Sequence, residues 1–358
     1  MKKINIVLFG TGNVGSKLIN QLLEAREQLR QREGVELNLP VIANSTTAFF
    51  QKENQQPSWE ADLEKFGFPY KLEDIINYVQ QQDYENLIAV DATASEEFVD
   101  NYFSLIESGF HIVAANKVAN TRSSQFYTEL RKKLLEHGKF FFYETNVGAG
   151  LPIVETLRNF HRSNERVTKV RGVFSGSLSY IFNTYCAEEK TFSEVLTKAT
   201  DKGFTEPDPR VDLSGKDVAR KLLILGRELG LEKEFEEITI QDLVPPHLNG
   251  QSTLENFQKN KIDLDPLFLK LKKELKQDEV IRHVGELDIQ KGVLDVKLVT
   301  EKRTSALGSL QNADSSFEIF TESYGEQPLV IKGAGAGAAV TARGVLTDLI
   351  KLAEKIPS

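Results

Sequence analysis

A short apolar run, 4–9, leads directly into Gly10-Thr11-Gly12-Asn13-Val14-Gly15, and a helical pattern starts behind it. No other feature constrains the chain as much. A near-continuous apolar run of strand length predicts a strand buried on both faces, which is the habit of parallel sheets. Over 16–32, Leu18, Ile19, Leu22, Leu23 and Leu29 recur at helical spacing with charges between them. A G-x-G-x-x-G placed between such a strand and such a helix carries a mechanism. The first glycine permits a tight turn and the second lets a pyrophosphate approach the backbone. The third permits close helix–strand packing, and the phosphates sit on the unpaired N–H groups of the helix N-terminus.

The alternation continues. Strands are predicted over 40–43, 87–92, 111–115 and 139–143, with helices over 96–108 and 123–137 that end near Gly109 and Gly138. The polar, Trp- and Pro-containing stretch between Gln51 and Pro69 reads as an insertion or loop. After Gly150 the pattern changes. Pro152 is expected to open a helix, and a strand follows over 167–174. Thr191 with Glu194, and Ser214 with Asp217, have capping-box spacing ahead of helices ending at Gly203 and Gly230. Strands over 238–243, 280–287, 293–301, 317–321 and 329–331 then follow without long crossovers, which predicts an antiparallel sheet. The expected fold is therefore α/β: a Rossmann-like doubly wound parallel sheet, then a mixed α/β domain. A small-residue segment, 333–339, precedes a last helix bearing Val340, Val345, Leu346, Leu349, Ile350 and Leu352.

Composition narrows the function. At 358 residues, two domains are expected. One cysteine, Cys186, permits neither an internal disulfide nor a multi-thiolate zinc site, which fits a reducing, cytoplasmic setting. With 44 Lys plus Arg against 52 Asp plus Glu, the net charge of −8 disfavours nucleic acid as a partner. No apolar run is long enough to span a bilayer, so no membrane partner is expected. The five histidines, His111, His137, His161, His247 and His283, have no metal-ligand spacing and read as packing or surface residues.

The residues that could carry chemistry lie at three further places. Asn116-Lys117 follows the strand 111–115, which puts an ammonium at the C-terminal edge of the sheet, where open α/β sheets bind ligands. Two prolines stiffen the acidic loop 205–213. On the helix behind it Asp217 and Lys221 share a face at i,i+4, either as a functional pair or as a capping residue with its solvated partner. The second strand ends Ala43-Asn44-Ser45-Thr46, without the acid that usually binds a ribose 2′-hydroxyl, so NADP is allowed and NAD stays open.

Taken together, these segments resemble the homoserine dehydrogenases over essentially the whole length. The segments are GTGNVG at 10–15, ANKVANT at 115–121, ETNVGAGLPIVETL at 144–157 and SGSLSYIFN at 175–183. Two more are GFTEPDPRVDLSGKDVARKLLILGRE at 203–228 and GAGAGAAVTARGVL at 333–346. The resemblance extends to the dehydrogenase part of bifunctional aspartokinase–homoserine dehydrogenases, and a chain without kinase or regulatory segments is expected.

It implies NAD(P)H-dependent, reversible reduction of L-aspartate 4-semialdehyde to L-homoserine, in threonine, methionine and isoleucine synthesis, by a homodimer. The dinucleotide-binding domain would comprise 1–145 with 335–358, and the substrate-binding, catalytic and dimerisation domain 146–334. Lys221 would be the proton donor, Asp217 its charged partner and Lys117 a second catalytic cation. Glu206 and Asp212 would bind the small-molecule substrate. Gly10, Gly12, Asn13, Val14, Gly15, Thr93, Lys117 and Gly337 would hold the cofactor. Glu144, Val147, Ala149 and Leu151 match a cage for a monovalent cation, usually sodium. Many members carry two adjacent acids where this chain has Val211-Asp212; Asp212 and Glu206 are expected to suffice. An aspartate-semialdehyde dehydrogenase would instead need a cysteine nucleophile, and Cys186 is expected mid-helix with no histidine nearby. A silent nucleotide sensor is the remaining alternative, with Val211 its one hint.

Overall fold

The computed structural model describes residues 1–51, 58–250 and 252–357. The chain divides into two compact units, Met1–Asn146 with Gly337–Ser358, and Val147–Ala336.

Unit 1 is built on a seven-stranded sheet. In chain order its elements are β1 (Lys2–Phe9), α1 (Asn13–Glu33), β2 (Val35–Ala43), β3 (Thr47–Phe50), α2 (Trp59–Phe66), β4 (Phe68–Pro69), α3 (Leu72–Gln81) and β5 (Leu87–Asp91). These are followed by α4 (Tyr102–Glu107), β6 (His111–Ala114), α5 (Val118–Thr121), α6 (Ser124–Glu136) and β7 (Phe141–Phe142). The strand order is β4-β3-β2-β1-β5-β6-β7. From β2 to β7 every pairing is parallel, and β3 and β4 add an antiparallel edge. β1 is buried from Ile4 to Phe9, as a central strand covered on both faces must be.

Several boundaries differ from the sequence expectation. β2 begins at Val35, not at residue 40, because Pro40 is absorbed by a register shift. Asn5 pairs with Asn38 and Val7 with Val41, so Leu39 and Pro40 together oppose Ile6. A bulge is where a strand tolerates a residue with no N–H to donate. The expected loop between Gln51 and Pro69 contains α2 and β4 in its described part, while 52–57 lie outside the described residues. α2 is held from without: Trp59 is buried and its Nε1 donates to Asn20 Oδ1 at 2.9 Å. The strand expected over 139–143 is only Phe141–Phe142, and the helix expected from 96 starts as a 3-10 turn, Phe98–Asn101.

The last helix, α14 (Ala338–Lys355, numbered after unit 2), returns to unit 1. Its Val345, Leu346, Leu349 and Leu352 join the core of β1 and α1. At roughly 1.5–3 kcal/mol for each large aliphatic side chain buried, this stripe is a large part of what retains the helix.

Unit 2 contains α7 (Ile153–Arg162), β8 (Val167–Val173), α8 (Gly176–Ala187), α9 (Phe192–Asp201), α10 (Arg210–Leu213) and α11 (Lys216–Glu228). It continues with β9 (Thr239–Ile240), α12 (Leu254–Asn260), α13 (Asp265–Glu274), β10 (Glu279–Asp288), β11 (Val293–Lys302), β12 (Ser315–Thr321) and β13 (Leu329–Gly333). The sheet order is β13-β12-β8-β10-β11-β9, antiparallel except that β9 runs parallel to β11. The strand expected over 238–243 therefore shrinks to two residues of the opposite sense to the expected one. The Thr191–Glu194 capping box forms, but the Ser214–Asp217 box does not. Gly215 is the N-cap of α11, with φ +69°, and Ser214 turns back to donate to Val211 O at 2.7 Å. Asp217 thus enters the first turn of α11 without a capping role. Pro152 precedes α7 as its N-cap, and Cys186 lies near the end of α8.

Candidate functional site

In unit 1 the glycine motif closes the β1–α1 connection. Gly10 has φ +98°, and a Cβ there would lie 2.8 Å from Ala92 C and O and 3.0 Å from Thr93 Cγ2. A Cβ on Gly15 would lie 1.8 Å from Gly10 O, so α1 can approach the turn only without a side chain at 15. Gly12 is different: it is exposed, with ordinary φ, and a Cβ there would meet nothing within 4 Å among the described residues. Gly10 and Gly15 are required by the fold, and Gly12 leaves open space beside the N-terminus of α1. That terminus has no side-chain cap and no acid in its first turn, so the N–H groups at Asn13 and Val14 and the helix dipole are left for an anion. The residues fit a pyrophosphate. At the end of β2, Asn44 Oδ1 accepts the N–H groups of Thr46 and Thr47 at 2.9 and 2.8 Å, so this position is used as a turn.

The neighbouring strand ends bring Thr93 and Lys117 to the same edge of the sheet. Ala92 N donates to Phe9 O, and Ala115 N to Asp91 O, at 2.9 Å each. Lys117 is the N-cap residue of α5. It is flanked by two buried amides, Asn116 and Asn120. Asn120 Nδ2 donates to Asn146 Oδ1 at 2.8 Å, Asn146 Nδ2 to Ala114 O at 2.9 Å, and Arg131 Nη2 to Asn120 Oδ1 at 2.6 Å. Glu144 is buried, and its N–H donates to Asp348 of α14 at 2.9 Å. Gly337, φ +117°, is the N-cap of α14, two residues before Ala339, whose carbonyl accepts from Gln21 of α1.

In unit 2 the structure brings together Lys221, Asp217, Asp212 and Glu206. Lys221 Nζ donates to Asp217 Oδ2 at 2.8 Å and to Phe174 O at 2.9 Å, with 12% of the side chain exposed. This is more enclosed than an i,i+4 pair on a solvated helix face, where such pairs are worth a few tenths of a kcal/mol. Asp212 Oδ2 accepts the N–H of Glu206 at 2.8 Å. Burial pushes the Asp212 carboxyl upward, and the nearby Glu206 and Asp217 carboxylates add to this; hydrogen bonds from Glu206 N–H and the Ser177 hydroxyl oppose it. Three acids around one position make a site that favours a cation. Arg210 fixes the loop they sit on, through Asp208 and through its Nη1 bonds to the carbonyls of Leu248, Asn249 and Ser252. Val211 points outward, 53% exposed.

The segment from Val147 to Leu151 turns through Gly148, φ +79°, and Ala149, φ +53°. Val147 and Ala149 are buried, and Leu151 O accepts from Ile153 N at 2.9 Å. Among the described residues there is no cluster of three His, Cys, Asp or Glu side chains suited to a metal ion. The carbonyls of such a turn are oxygen ligands of the kind a hard cation of low charge takes.

Sequence reasoning missed Asp91, Asn116, Asn120, Ser177, Arg210 and Asp348. Asp91 was signalled by a carboxylate ending an apolar strand. The others act through contacts between segments far apart in the chain, which no local pattern reports.

A doubly wound sheet with a glycine turn on an uncapped helix, joined in one chain to a unit carrying a lysine among carboxylates, defines a dinucleotide-dependent dehydrogenase class. The family models for the homoserine dehydrogenase NAD binding domain and for homoserine dehydrogenase match residues 10–144 and 152–350. The chain belongs to the homoserine dehydrogenase family. It is 33% identical to the homoserine dehydrogenase of Schizosaccharomyces pombe, covering 99% of this chain and 96% of that one. It is 37% identical to the bifunctional aspartokinase/homoserine dehydrogenase of Buchnera aphidicola over 98% of this chain, but spans only 43% of that relative's length. A solved structure from Candida auris, described as of unknown function, is 34% identical with a TM-score of 0.90 over 99% of both chains. A hyperthermophilic archaeal homoserine dehydrogenase in complex with NADPH, 24% identical and covering 99% of both chains, shares the fold with a TM-score of 0.75. No described helix is long and apolar enough to cross a membrane.

Proposed function

We propose that this chain reduces L-aspartate 4-semialdehyde reversibly to L-homoserine with NADPH or NADH. The observation that carries the reading is Lys221, an enclosed ammonium with two N–H groups committed to Asp217 and Phe174 O and a third left for a substrate oxygen. Bound NAD(P)H supplies the hydride that goes to the aldehyde carbon. Negative charge then develops on the aldehyde oxygen, and a preoriented ammonium in an enclosed site stabilises it better than water does. Lys221 gives that oxygen its proton, Asp217 fixes the direction of the amine, and Lys117 serves as a second cation. Glu206 and Asp212 bind the substrate ammonium. The outward direction of Val211 supports a site complete without a second acid there.

Gly10, Gly12, Asn13, Val14, Gly15, Thr93, Lys117 and Gly337 hold the coenzyme, with the pyrophosphate on the N-terminus of α1. The absence of a carboxylate at 44–47 removes the repulsion that a 2′-phosphate would meet, which favours NADPH. Glu144 with the carbonyls of Val147, Ala149 and Leu151 would hold a monovalent cation such as sodium and steady the turn. Residues 1–145 with 335–358 form the dinucleotide-binding domain and 146–334 the substrate-binding and dimerisation domain of a cytoplasmic homodimer. The single free cysteine suits that reducing compartment.

The test follows nicotinamide absorbance with aspartate semialdehyde and either coenzyme. Turnover by the wild type, nearly abolished in Lys221→Ala while NADPH still binds, is expected. Unchanged rates in that variant remove Lys221 from the mechanism; a wild type that binds NADPH without turnover supports a nucleotide sensor instead.

A further inference from the structure

Two loops of unit 1 follow the glycine turn in order along one edge of the sheet, 92–95 behind β5 and 115–118 behind β6, and one buried carboxylate joins them. Asp91, the last residue of β5, is 1% exposed. Its Oδ1 accepts the N–H of Thr93 at 2.8 Å. Its Oδ2 accepts the Tyr102 hydroxyl at 2.7 Å and Asn116 Nδ2 at 3.0 Å. Asn116, also buried, extends the link: Nδ2 donates to Ser95 O at 2.9 Å, and Oδ1 accepts the N–H of Val118 at 3.0 Å. The turn that presents Lys117 is therefore closed by a side chain that Asp91 holds. These donors, and the Thr93 hydroxyl that joins them, are all neutral, and burial pushes the Asp91 carboxyl upward against the hydrogen bonds that hold it down. A carboxylate buried in this way is costly for the fold alone, and an apolar residue would fill a strand end at less cost. Its reach accounts for it, since only an acceptor with two oxygens can tie both loops and the core together.

We propose that Asp91 is a positioning residue for the coenzyme crevice, setting the 92–95 loop directly and the 115–118 loop through Asn116. This rests on the dinucleotide reading of unit 1. Thr93 Cγ2 stands 3.0 Å from where a Cβ on Gly10 would lie, so any slip of the 92–95 loop moves the wall of the glycine turn. Tyr102 is the core-side anchor. It is fully buried, packed edge-on against Phe98 and Phe141, and touches neither loop through its hydroxyl.

The experiment compares Asp91→Asn, Asn116→Ala and Tyr102→Phe with the wild type by three measurements. These are melting temperature, backbone amide exchange at Thr93 and Val118 without nucleotide, and NADPH dissociation constant by titration. Asp91→Asn is expected to speed exchange at both amides, and Asn116→Ala at Val118, by at least tenfold. Each is expected to weaken NADPH at least tenfold. Tyr102→Phe, which removes one hydrogen bond from the same carboxylate, is expected to lower the melting temperature with NADPH affinity within twofold. NADPH affinity within twofold of wild type in both loop variants overturns the proposal, as does an equal loss in Tyr102→Phe. Should Asp91→Asn fail to fold, Asn116→Ala decides by the same criteria. A wild type that binds neither NADPH nor NADH refutes the dinucleotide reading, and the exchange data then judge the loop positioning, unchanged exchange overturning it; a wild type that binds NADH alone is titrated with NADH under the same criteria.

Discussion

Gly12→Ala and Gly15→Ala are the same chemical change three residues apart, and the structure gives them opposite consequences. At Gly15 the new methyl would sit 1.8 Å from Gly10 O and 2.9 Å from Gly10 C, both backbone atoms that cannot rotate away. α1 must shift by more than an ångström, and overpacking of this kind costs roughly 1–3 kcal/mol or more. At Gly12, φ is −70° and nothing lies within 4 Å, so alanine enters without strain. The folding cost is only the weaker N-cap preference of alanine, about 0.5–1 kcal/mol, or about 1 °C in melting temperature for a chain of this length. The same methyl occupies the space through which a pyrophosphate reaches the N–H groups at the start of α1. Losing one or two charge-assisted hydrogen bonds, at ~1.5–3 kcal/mol each, predicts about 3 kcal/mol of lost binding, or roughly a hundredfold in Kd. Thermal melting and NADPH titration measure both effects. Gly12→Ala should melt near wild type and bind poorly, and Gly15→Ala should melt well below it. A Gly12→Ala protein that binds NADPH within twofold of wild type would refute the placement of the phosphates.

Three other outcomes are expected. His283, on β10, is buried with neither ring nitrogen hydrogen-bonded among the described residues, so His283→Leu should raise stability by about 1–2 kcal/mol, seen as a higher melting temperature. Burial lowers the pKa of His283 to about 4, and burial together with the charge of Lys139 lowers that of His111 to about 4. The unfolded chain therefore takes up protons first as pH falls below about 6.5. Each histidine then removes up to roughly 3 kcal/mol of stability between pH 6.5 and 4, while the contribution is intact above pH 6.5; urea midpoints across this range check the sign. Arg210→Ala releases the loop carrying Glu206 and Asp212 from the carbonyls at 248, 249 and 252, so KM for aspartate semialdehyde should rise about tenfold with little change in coenzyme affinity.

What a local pattern could carry was legible in the chain. The apolar run 4–9, the glycines behind it and the helical stripe after them fixed the β1–α1 unit, because a fully buried strand and an amphipathic helix each impose a period on neighbouring residues. The Thr191–Glu194 box was legible for the same reason. The Ser214–Asp217 box had equal spacing and did not form. The short turn of α10 carries the chain to Gly215, which caps α11 in a left-handed conformation and leaves Asp217 to pair with Lys221. The two-residue β9 pairs parallel to β11, against the expected sense, because its partner is chosen by the sheet and not by its own sequence. Asp91 as the tie between two loops, Ser177 and Glu206 on Asp212, and Arg210 on distant carbonyls were likewise decided by tertiary structure. Hydrogen bonds between residues far apart in sequence depend on where the backbone returns, and burial sets the strength of the charges they hold.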